Sequence, residues 1–150
     1  MRIALVSPYS WTYPGGVTRH IEALAGEFLD SGHDVRVLAP FDPPDELSAR
    51  LHRGARPQER EMPEWLVPVG RTIGFRANGA VSNLAVTPAS VVSLRRSLEA
   101  LKPDIVHLHE PVAPVLGWDA LLSFDGPLVG TFHCYSTNAV SNGAAALIGA

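Results

Sequence analysis

The first 32 residues restrict the fold more than any other stretch, because they combine a strand, a glycine turn and an amphipathic helix. Residues 2–7 form an apolar run of strand length, and from Val17 the apolar residues recur at the spacing of a helix. Ser31 and Gly32 then provide a typical helix end. The apolar stripe of the helix consists of Val17, Ile21, Leu24, Ala25, Phe28 and Leu29. A helix with one such stripe packs on a sheet, so the sequence predicts an α/β protein.

The turn between strand and helix contains Pro14, Gly15 and Gly16. Two glycines at a helix start let a ligand approach the backbone, and the free N–H groups and positive dipole end favour an anion. We therefore predict an anion site at Gly15 and Gly16. The alternative is that the glycines serve only the tight packing of strand and helix. Their spacing matches neither G-x-G-x-x-G nor G-x-x-x-x-G-K-[ST], which argues against Rossmann oxidoreductases and P-loop NTPases.

Composition excludes several classes of protein. The 150 residues, 46% of them hydrophobic, suffice for one domain with a core. A formal net charge of -3 provides no overall field for nucleic acid, so nucleic acid is not an expected partner. The single cysteine, Cys134, excludes an internal disulfide and fits a reducing compartment. Since no apolar run is long enough for a signal peptide or a transmembrane helix, we expect a cytoplasmic protein.

The rest of the chain alternates strands and helices. Strands are predicted at 34–39, 65–69, 72–75, 104–108 and 127–132, and helices at 45–51, 88–102, 112–122 and 138–150. The short strands at 65–69 and 72–75 are expected to pair as a hairpin, followed by a turn at Asn78 and Gly79. Thr87 is the expected cap of the helix that begins at Pro88. This order predicts an open, mainly parallel, Rossmann-like sheet with helices on both faces and right-handed crossovers.

Polar residues follow several of the predicted strands. In open parallel sheets, ligands bind at the carboxyl ends of the strands. Those ends carry Ser7-Pro8-Tyr9, Pro40, His109-Glu110 and His133. The sequence therefore predicts a functional site at this edge of the sheet.

Five motifs in order resemble those of family 4 retaining glycosyltransferases. They are Ser7-Pro8-Tyr9, Pro14-Gly15-Gly16-Val17 with His20, Ser31-Gly32-His33-Asp34-Val35, the segment 104–111 (DIVHLHEP), and Thr131-Phe132-His133. Asn78-Gly79 before Thr87-Pro88 resembles the phosphatidylinositol mannosyltransferase branch of that family. The resemblance covers nearly the whole chain except residues 42–64.

The resemblance implies a GT-B architecture, in which two Rossmann-like domains face each other across a cleft. Residues 1–150 resemble the acceptor-side N-terminal domain in incomplete form, without the C-terminal donor-binding domain, and this fragment is expected to be inactive alone. The implied reaction transfers a hexose with retention, in first place mannose from GDP-mannose, to an inositol lipid or another hydroxyl acceptor. A UDP-sugar with a soluble acceptor is the alternative within the family. Neither a cofactor nor a metal is implied.

The resemblance also implies roles for individual residues. Gly15 and Gly16 match the loop whose N–H groups meet the donor diphosphate, and His133 matches the histidine that orients the transferred sugar. The acceptor-side positions are Tyr9, His20, Asn78 and Gly79. His109, Glu110 and Thr131 match the wall that supports the site.

One position departs from the pattern of lipid-binding members. Asn83 stands where an arginine for the lipid phosphate is expected, and Arg71 or Arg76 would have to replace it. The helix after Pro88 is only mildly basic, so peripheral contact with the inner face of a membrane stays an alternative to an ordinary solvated face.

Three hypotheses from other classes compete with this interpretation. A zinc hydrolase would use His107, His109 and His133 as ligands, since His107 and His109 share one face of a strand. A thiol nucleophile at Cys134 is disfavoured, because Cys134 and His133 are adjacent on a strand and point to opposite faces. A non-catalytic binding module is the third hypothesis.

Overall fold

The computed structural model describes residues 1–77 and 80–133. Seven strands and four helices lie within these ranges. They are β1 (Arg2–Val6), α1 (Gly16–Asp30), β2 (Asp34–Ala39), α2 (Glu46–Leu51), β3 (Leu66–Pro68), β4 (Ile73–Ala77), β5 (Ala80–Leu84), α3 (Pro88–Leu101), β6 (Ile105–His109), α4 (Leu116–Ser123) and β7 (Leu128–Thr131). Asn78, Gly79, Cys134 and the helix predicted at 138–150 lie outside the described residues.

The main sheet has five parallel strands in the order β3-β2-β1-β6-β7. This order confirms the predicted open, Rossmann-like α/β fold, with β1 at the centre and β6 beside it. Val6, the last residue of β1, pairs with Leu38 of β2 and with Leu108 of β6. The three central strands therefore end together, and the loops that follow them share one edge of the sheet.

Alternation along the strands divides the core into two layers. On one face, Leu5 of β1 and Val37 of β2 are fully buried under Ile21 and Ala25 of α1. On the other face, Val6 and Leu108 are buried under Leu94 of α3, with α4 beside it. Helices thus cover both faces, as the apolar stripes of α1 and α3 predict.

The predicted hairpin at 65–75 is wrong. β3 pairs in parallel with β2 at the end of the main sheet, because Leu66 and Val69 are buried in the two core layers. Gly70, at φ 105°, then turns the chain away from the sheet. β4 pairs instead with β5 in a separate antiparallel ladder, with Ala77 opposite Ala80. An Asn-Gly pair between two strands is the strongest short-range signal for such a hairpin, and β5 was missing from the prediction.

The predicted helix at 112–122 begins later, at Leu116. Glu110 and Val115 have positive φ angles of 59° and 73°, which an α-helix does not accommodate. Pro114 also disfavours helical backbone at the residue before it. A Cβ at Gly117 would lie 2.6 Å from the Pro111 carbonyl oxygen, so the close contact of α4 with this turn requires glycine.

The predicted start of α3 is confirmed. Thr87 Oγ1 accepts a hydrogen bond of 3.2 Å from the Ser90 backbone N–H, and Pro88 occupies the first turn. Lys102 follows the helix in the left-handed region, at φ 46°. Neither α3 nor any other helix of the described ranges is long and apolar enough to cross a bilayer.

Candidate active site

A pocket of about 280 Å³ opens at the carboxyl edge of the sheet, between the β1–α1 loop and strand β5. Backbone hydrogen bonds hold its two walls together, from Ser10 N–H to the Asn83 carbonyl at 3.3 Å and from Ala85 N–H to the Pro8 carbonyl at 2.9 Å. It is lined by Tyr9, Tyr13, Gly15, Gly16, Val17, Thr18, Val81, Ser82 and Asn83. The predicted residues Tyr9, Gly15 and Gly16 therefore belong to one cavity.

Neither packing nor backbone conformation explains the two glycines. Gly15 has an extended backbone, with φ −131° and ψ −164°, and caps α1. Apart from the chain neighbours and the backbone of α1, no atom of the described residues lies within 4 Å of a Cβ at Gly15 or at Gly16. The interpretation that they serve only tight strand–helix packing is wrong. Their missing side chains leave the N-terminal N–H groups of α1 open to the pocket, where an anion is favoured.

A group of imidazoles lies at the same edge, which we call the histidine cluster (His20, His107, His109 and His133). His107 and His109 alternate with buried residues of β6 and stack at a centroid distance of 4.4 Å. The ring of His133, after β7, stacks on His109 at 5.3 Å. His20, one helix turn after Gly16, lies 5.4 Å from the His133 ring. The helix that begins at the diglycine turn therefore reaches the imidazole at 133.

Parallel pairing of β6 and β7 determines how the cluster is bonded. His107 Nε2 lies 2.7 Å from Thr131 Oγ1, and His109 Nδ1 lies 3.0 Å from His133 Nε2. The backbone N–H of His133 donates to Glu110 Oε2 at 3.0 Å. Glu110 is buried and its own N–H donates to the Thr131 carbonyl at 2.7 Å. Three residues predicted to support the site, His109, Glu110 and Thr131, thus surround His133.

Burial and neighbouring imidazoles lower the pKa of three rings of the histidine cluster and so favour their neutral form. Burial lowers the pKa of His109 to about 3, and the neighbouring imidazoles His107, His133 and His20 add to that shift. Burial likewise lowers the pKa of His107 and of His133, with His20 as the second cause in both. A neutral imidazole has one N–H donor and one acceptor nitrogen. At neutral pH, His133 is therefore suited to hydrogen bonding with hydroxyl groups.

The three-histidine zinc site is wrong. His107 and His109 do share a face, as strand alternation predicts, but their rings stack on each other and bond to Thr131 and His133. Within residues 1–77 and 80–133, no three His, Cys, Asp or Glu side chains are arranged to hold a metal ion. The proposed thiol nucleophile, Cys134, lies outside the described residues.

Sequence patterns missed a buried polar network behind the pocket. Asp42 is fully buried, and its carboxylate accepts hydrogen bonds from Ser10 Oγ at 2.6 Å and from Thr72 Oγ1 at 2.7 Å. Thr72 also lies 2.9 Å from His52 Nε2, and His52 stacks on Tyr13 at 4.1 Å. The network connects the loop after β1 with the start of β4. Its only sequence signal is an acid between prolines in a loop, which is common on protein surfaces.

Arg71 is already paired with an acid of the same chain. Its guanidinium forms two hydrogen bonds to the Asp45 carboxylate, at 2.8 and 2.6 Å, and a third to Ser48 Oγ. These bonds hold the pKa of Asp45 well below its usual range. Asp45 also caps α2, so Arg71 anchors that helix. The side chain of Arg76, the other predicted replacement, is not among those described.

Asn83, which stands where the resemblance predicts an arginine, lies in the wall of the pocket. Its Oδ1 is buried and makes no hydrogen bond within the described ranges. The side chain contributes an uncharged amide at a position where an arginine would contribute a cation.

An open helix start and neutral imidazoles lie together at the carboxyl edge of this Rossmann-like sheet. This arrangement suits the class of the glycosyltransferases, and the comparison with known sequences supports that class. The sequence profile of Glycosyltransferase Family 4 matches residues 14–147. The chain belongs to this family.

Within this family, the chain is similar to several curated mannosyltransferases. The chain is 38% identical to a phosphatidyl-myo-inositol mannosyltransferase of Mycobacterium leprae and 36% identical to one of Mycolicibacterium smegmatis, over 94% of its length in both cases. It is also 28% identical, over 92% of its length, to a GDP-mannose-dependent alpha-mannosyltransferase of Mycobacterium tuberculosis. The matches cover 34%, 33% and 32% of these relatives, so the chain spans about a third of their length.

Proposed function

We propose that this chain is the acceptor-side, N-terminal domain of a GT-B mannosyltransferase. It acts with a donor-binding domain to transfer mannose from GDP-mannose, with retention, to a hydroxyl of an inositol-containing acceptor. The observation that carries the proposal is the open diglycine turn at the start of α1, joined through His20 to the imidazole of His133. One edge of the sheet thereby offers an anion site and a sugar-binding donor group together.

The donor assignment has support from chemistry and from relatives. The free N–H groups at Gly15 and Gly16 suit a diphosphate, whose negative charge grows as the glycosidic bond breaks. GDP-mannose appears in the name of one relative, and the others are named as mannosyltransferases. Stabilising the leaving diphosphate is the main catalytic contribution we assign to this domain.

The acceptor assignment rests on the pocket wall. Tyr9, Thr18, Ser82 and Asn83 contribute hydroxyl and amide groups to a largely apolar lining, and a ring that carries hydroxyl groups suits such a site. The name of the relatives, phosphatidyl-myo-inositol mannosyltransferase, indicates inositol as that polyol. His20 and the segment at Asn78 and Gly79 complete the proposed acceptor side.

His133 is the proposed catalytic residue. As a neutral imidazole beside the reaction centre, it orients a hydroxyl of the transferred sugar by a hydrogen bond. Replacement of His133 by Ala in the two-domain enzyme is expected to lower kcat roughly 100-fold, the usual loss for one transition-state donor. Mannose transfer from GDP-mannose to phosphatidylinositol measures this effect, and thermal denaturation checks that folding is retained.

His33 provides the matched control. It lies at the opposite edge of the sheet, just before β2, where its ring contacts Phe28 of α1. His33→Ala should leave kcat unchanged within about twofold, since a surface substitution of this kind has a small effect. An unaltered rate for His133→Ala would contradict the assigned role, and transfer from UDP-sugars alone would contradict the donor.

A further inference from the structure

His133 contacts an imidazole, His109, whose second nitrogen has no partner within residues 1–77 and 80–133. His109 Nδ1 lies 3.0 Å from His133 Nε2, whereas His109 Nε2 is buried and makes no hydrogen bond to any described residue. The pKa values of both rings are lowered, that of His109 to about 3, so both are neutral at pH 7. Each ring therefore has a single N–H, and the pair shares one proton along the Nδ1···Nε2 contact.

Two tautomeric arrangements fit this contact. In the first, His109 donates from Nδ1 and its buried Nε2 is an acceptor without a partner. In the second, His133 donates from Nε2, so His109 must carry its own proton on Nε2 as a buried N–H without a partner. A buried N–H without an acceptor loses the hydrogen bond that it makes to water, and among backbone groups such orphaned donors are rarer than under-satisfied acceptors. The first arrangement is favoured, and it places the proton of His133 on Nδ1.

The backbone around His133 restricts the ring further. Its N–H donates to Glu110 Oε2 at 3.0 Å, and Glu110 is itself fixed by a positive φ of 59° and by its bond to the Thr131 carbonyl. His20 limits the ring from the side of α1, at a centroid distance of 5.4 Å. The ring thus keeps Nε2 towards His109 and has only Nδ1 left for a ligand.

We propose that His109 is a positioning residue that holds His133 as the neutral Nδ1–H tautomer. His133 then meets its substrate as a hydrogen-bond donor, and it does not act as a general base, because Nε2 already accepts the His109 proton. The group that His133 recognises is accordingly an oxygen acceptor, such as a sugar or polyol hydroxyl. Only the identity of this substrate rests on the proposed function.

The tautomer can be observed directly by long-range ¹H–¹⁵N correlation spectra of the ¹⁵N-histidine-labelled chain at pH 7.5. We expect a protonated-type resonance for His133 Nδ1 and an unprotonated-type resonance for His133 Nε2. The two resonance types would be exchanged if His133 donated its Nε2 proton to His109. Protonated Nε2 in the unmodified chain would overturn the proposal without any variant.

Two variants of His109 separate its hydrogen bond from its ring. In His109→Asn, the amide N–H can replace Nδ1–H, so the His133 tautomer should be retained. In His109→Phe, a planar ring remains but the donor is lost, so Nε2 of His133 should move to the protonated range. His33→Asn is the matched control, because His33 contacts Phe28 at the opposite edge of the sheet, and it should leave the His133 spectrum unchanged. An unchanged His133 spectrum in His109→Phe would contradict the proposal.

Kinetics of the two-domain enzyme provide an independent readout. His109→Phe should lower kcat about tenfold with little change in KM, and His109→Asn should restore most of that loss, since the donor orientation is regained. Equal loss in both variants would argue for a merely structural residue and against the proposal. The Nδ1–H tautomer in a protein that transfers no sugar would support this inference and overturn the proposed function instead.

Discussion

Replacement of Gly16 is predicted to stabilise the fold but to weaken binding of the donor. A Cβ there meets no described atom, and α1 begins at this position, so Gly16→Ala should raise the free energy of unfolding by about 0.5 kcal/mol. The added methyl group would obstruct the N–H groups that the proposed diphosphate approaches. We expect the KM for GDP-mannose to rise about tenfold, the effect of losing one charge-assisted hydrogen bond.

Gly26→Ala is the control for this substitution. Gly26 lies inside the same helix, and a Cβ there also meets no described atom. Alanine should stabilise the helix interior by about 1 kcal/mol and leave the KM unchanged. Urea unfolding and initial-rate kinetics measure both quantities. A stabilised Gly16→Ala enzyme with an unchanged KM would contradict the anion site.

Asp42 is the residue whose loss should cost the most stability among those outside the apolar core. Asp42→Ala leaves the Thr72 N–H and the hydroxyls of Ser10 and Thr72 buried without their acceptor. We expect the free energy of unfolding to fall by about 3 kcal/mol. Asp30→Ala, at an exposed position of α1, should change it by less than about 0.5 kcal/mol. Urea denaturation compares the two, and similar values for both would contradict the network.

At the scale of elements, the pairing of β6 with β7 makes the histidine cluster acid-sensitive. In the unfolded chain His109 is protonated below about pH 6.5. In the folded chain the pKa of His109 is about 3, so the ring stays neutral down to that pH. The contribution of His109 to the free energy of unfolding is therefore fully present above pH 6.5, and it decreases as the pH falls towards 3. His109 alone should lower the free energy of unfolding by about 2 kcal/mol at pH 5, relative to its value at pH 8.

Urea unfolding at pH 8 and at pH 5 tests this dependence. His109→Asn removes the titrating ring and should lose less stability between the two pH values than the unmodified chain, whatever its stability at pH 8. Effects of the carboxylates are common to both proteins and cancel in the comparison. An equal loss in both would show that His109 does not resist protonation.

Elements differ in how far their sequences predict them. The strands of the main sheet and the helices α1 and α3 follow from local periodicity and caps, because each buries one stripe of its own residues. The pairing partners of β3 and β4 do not follow from local periodicity, because a short apolar strand pairs with the strand that lies beside it in the folded core. The late start of α4 depends in the same way on the turn at Glu110.

At the scale of the whole molecule, the proposed GT-B enzyme has the described residues on one side of its cleft. We therefore predict that residues 1–150 alone bind glycerophosphoinositol but transfer no mannose from GDP-mannose. Backbone amide shifts should change at Tyr9, Gly16 and Asn83 when the headgroup is added, and not when the same concentration of glucose is added. Transfer by the isolated chain, or shifts confined to other surfaces, would contradict the assignment of this domain to the acceptor.

The sequence alone determined the fold class, the family and the residues expected at the carboxyl edge, because these depend on local patterns and on motifs in order. Only the tertiary structure decided that Arg71 pairs with Asp45, that Asp42 connects the loop after β1 with the start of β4, and that His109 contacts His133. These contacts join residues 24 to 32 positions apart. Their geometry follows from strand order and register, which no local pattern specifies.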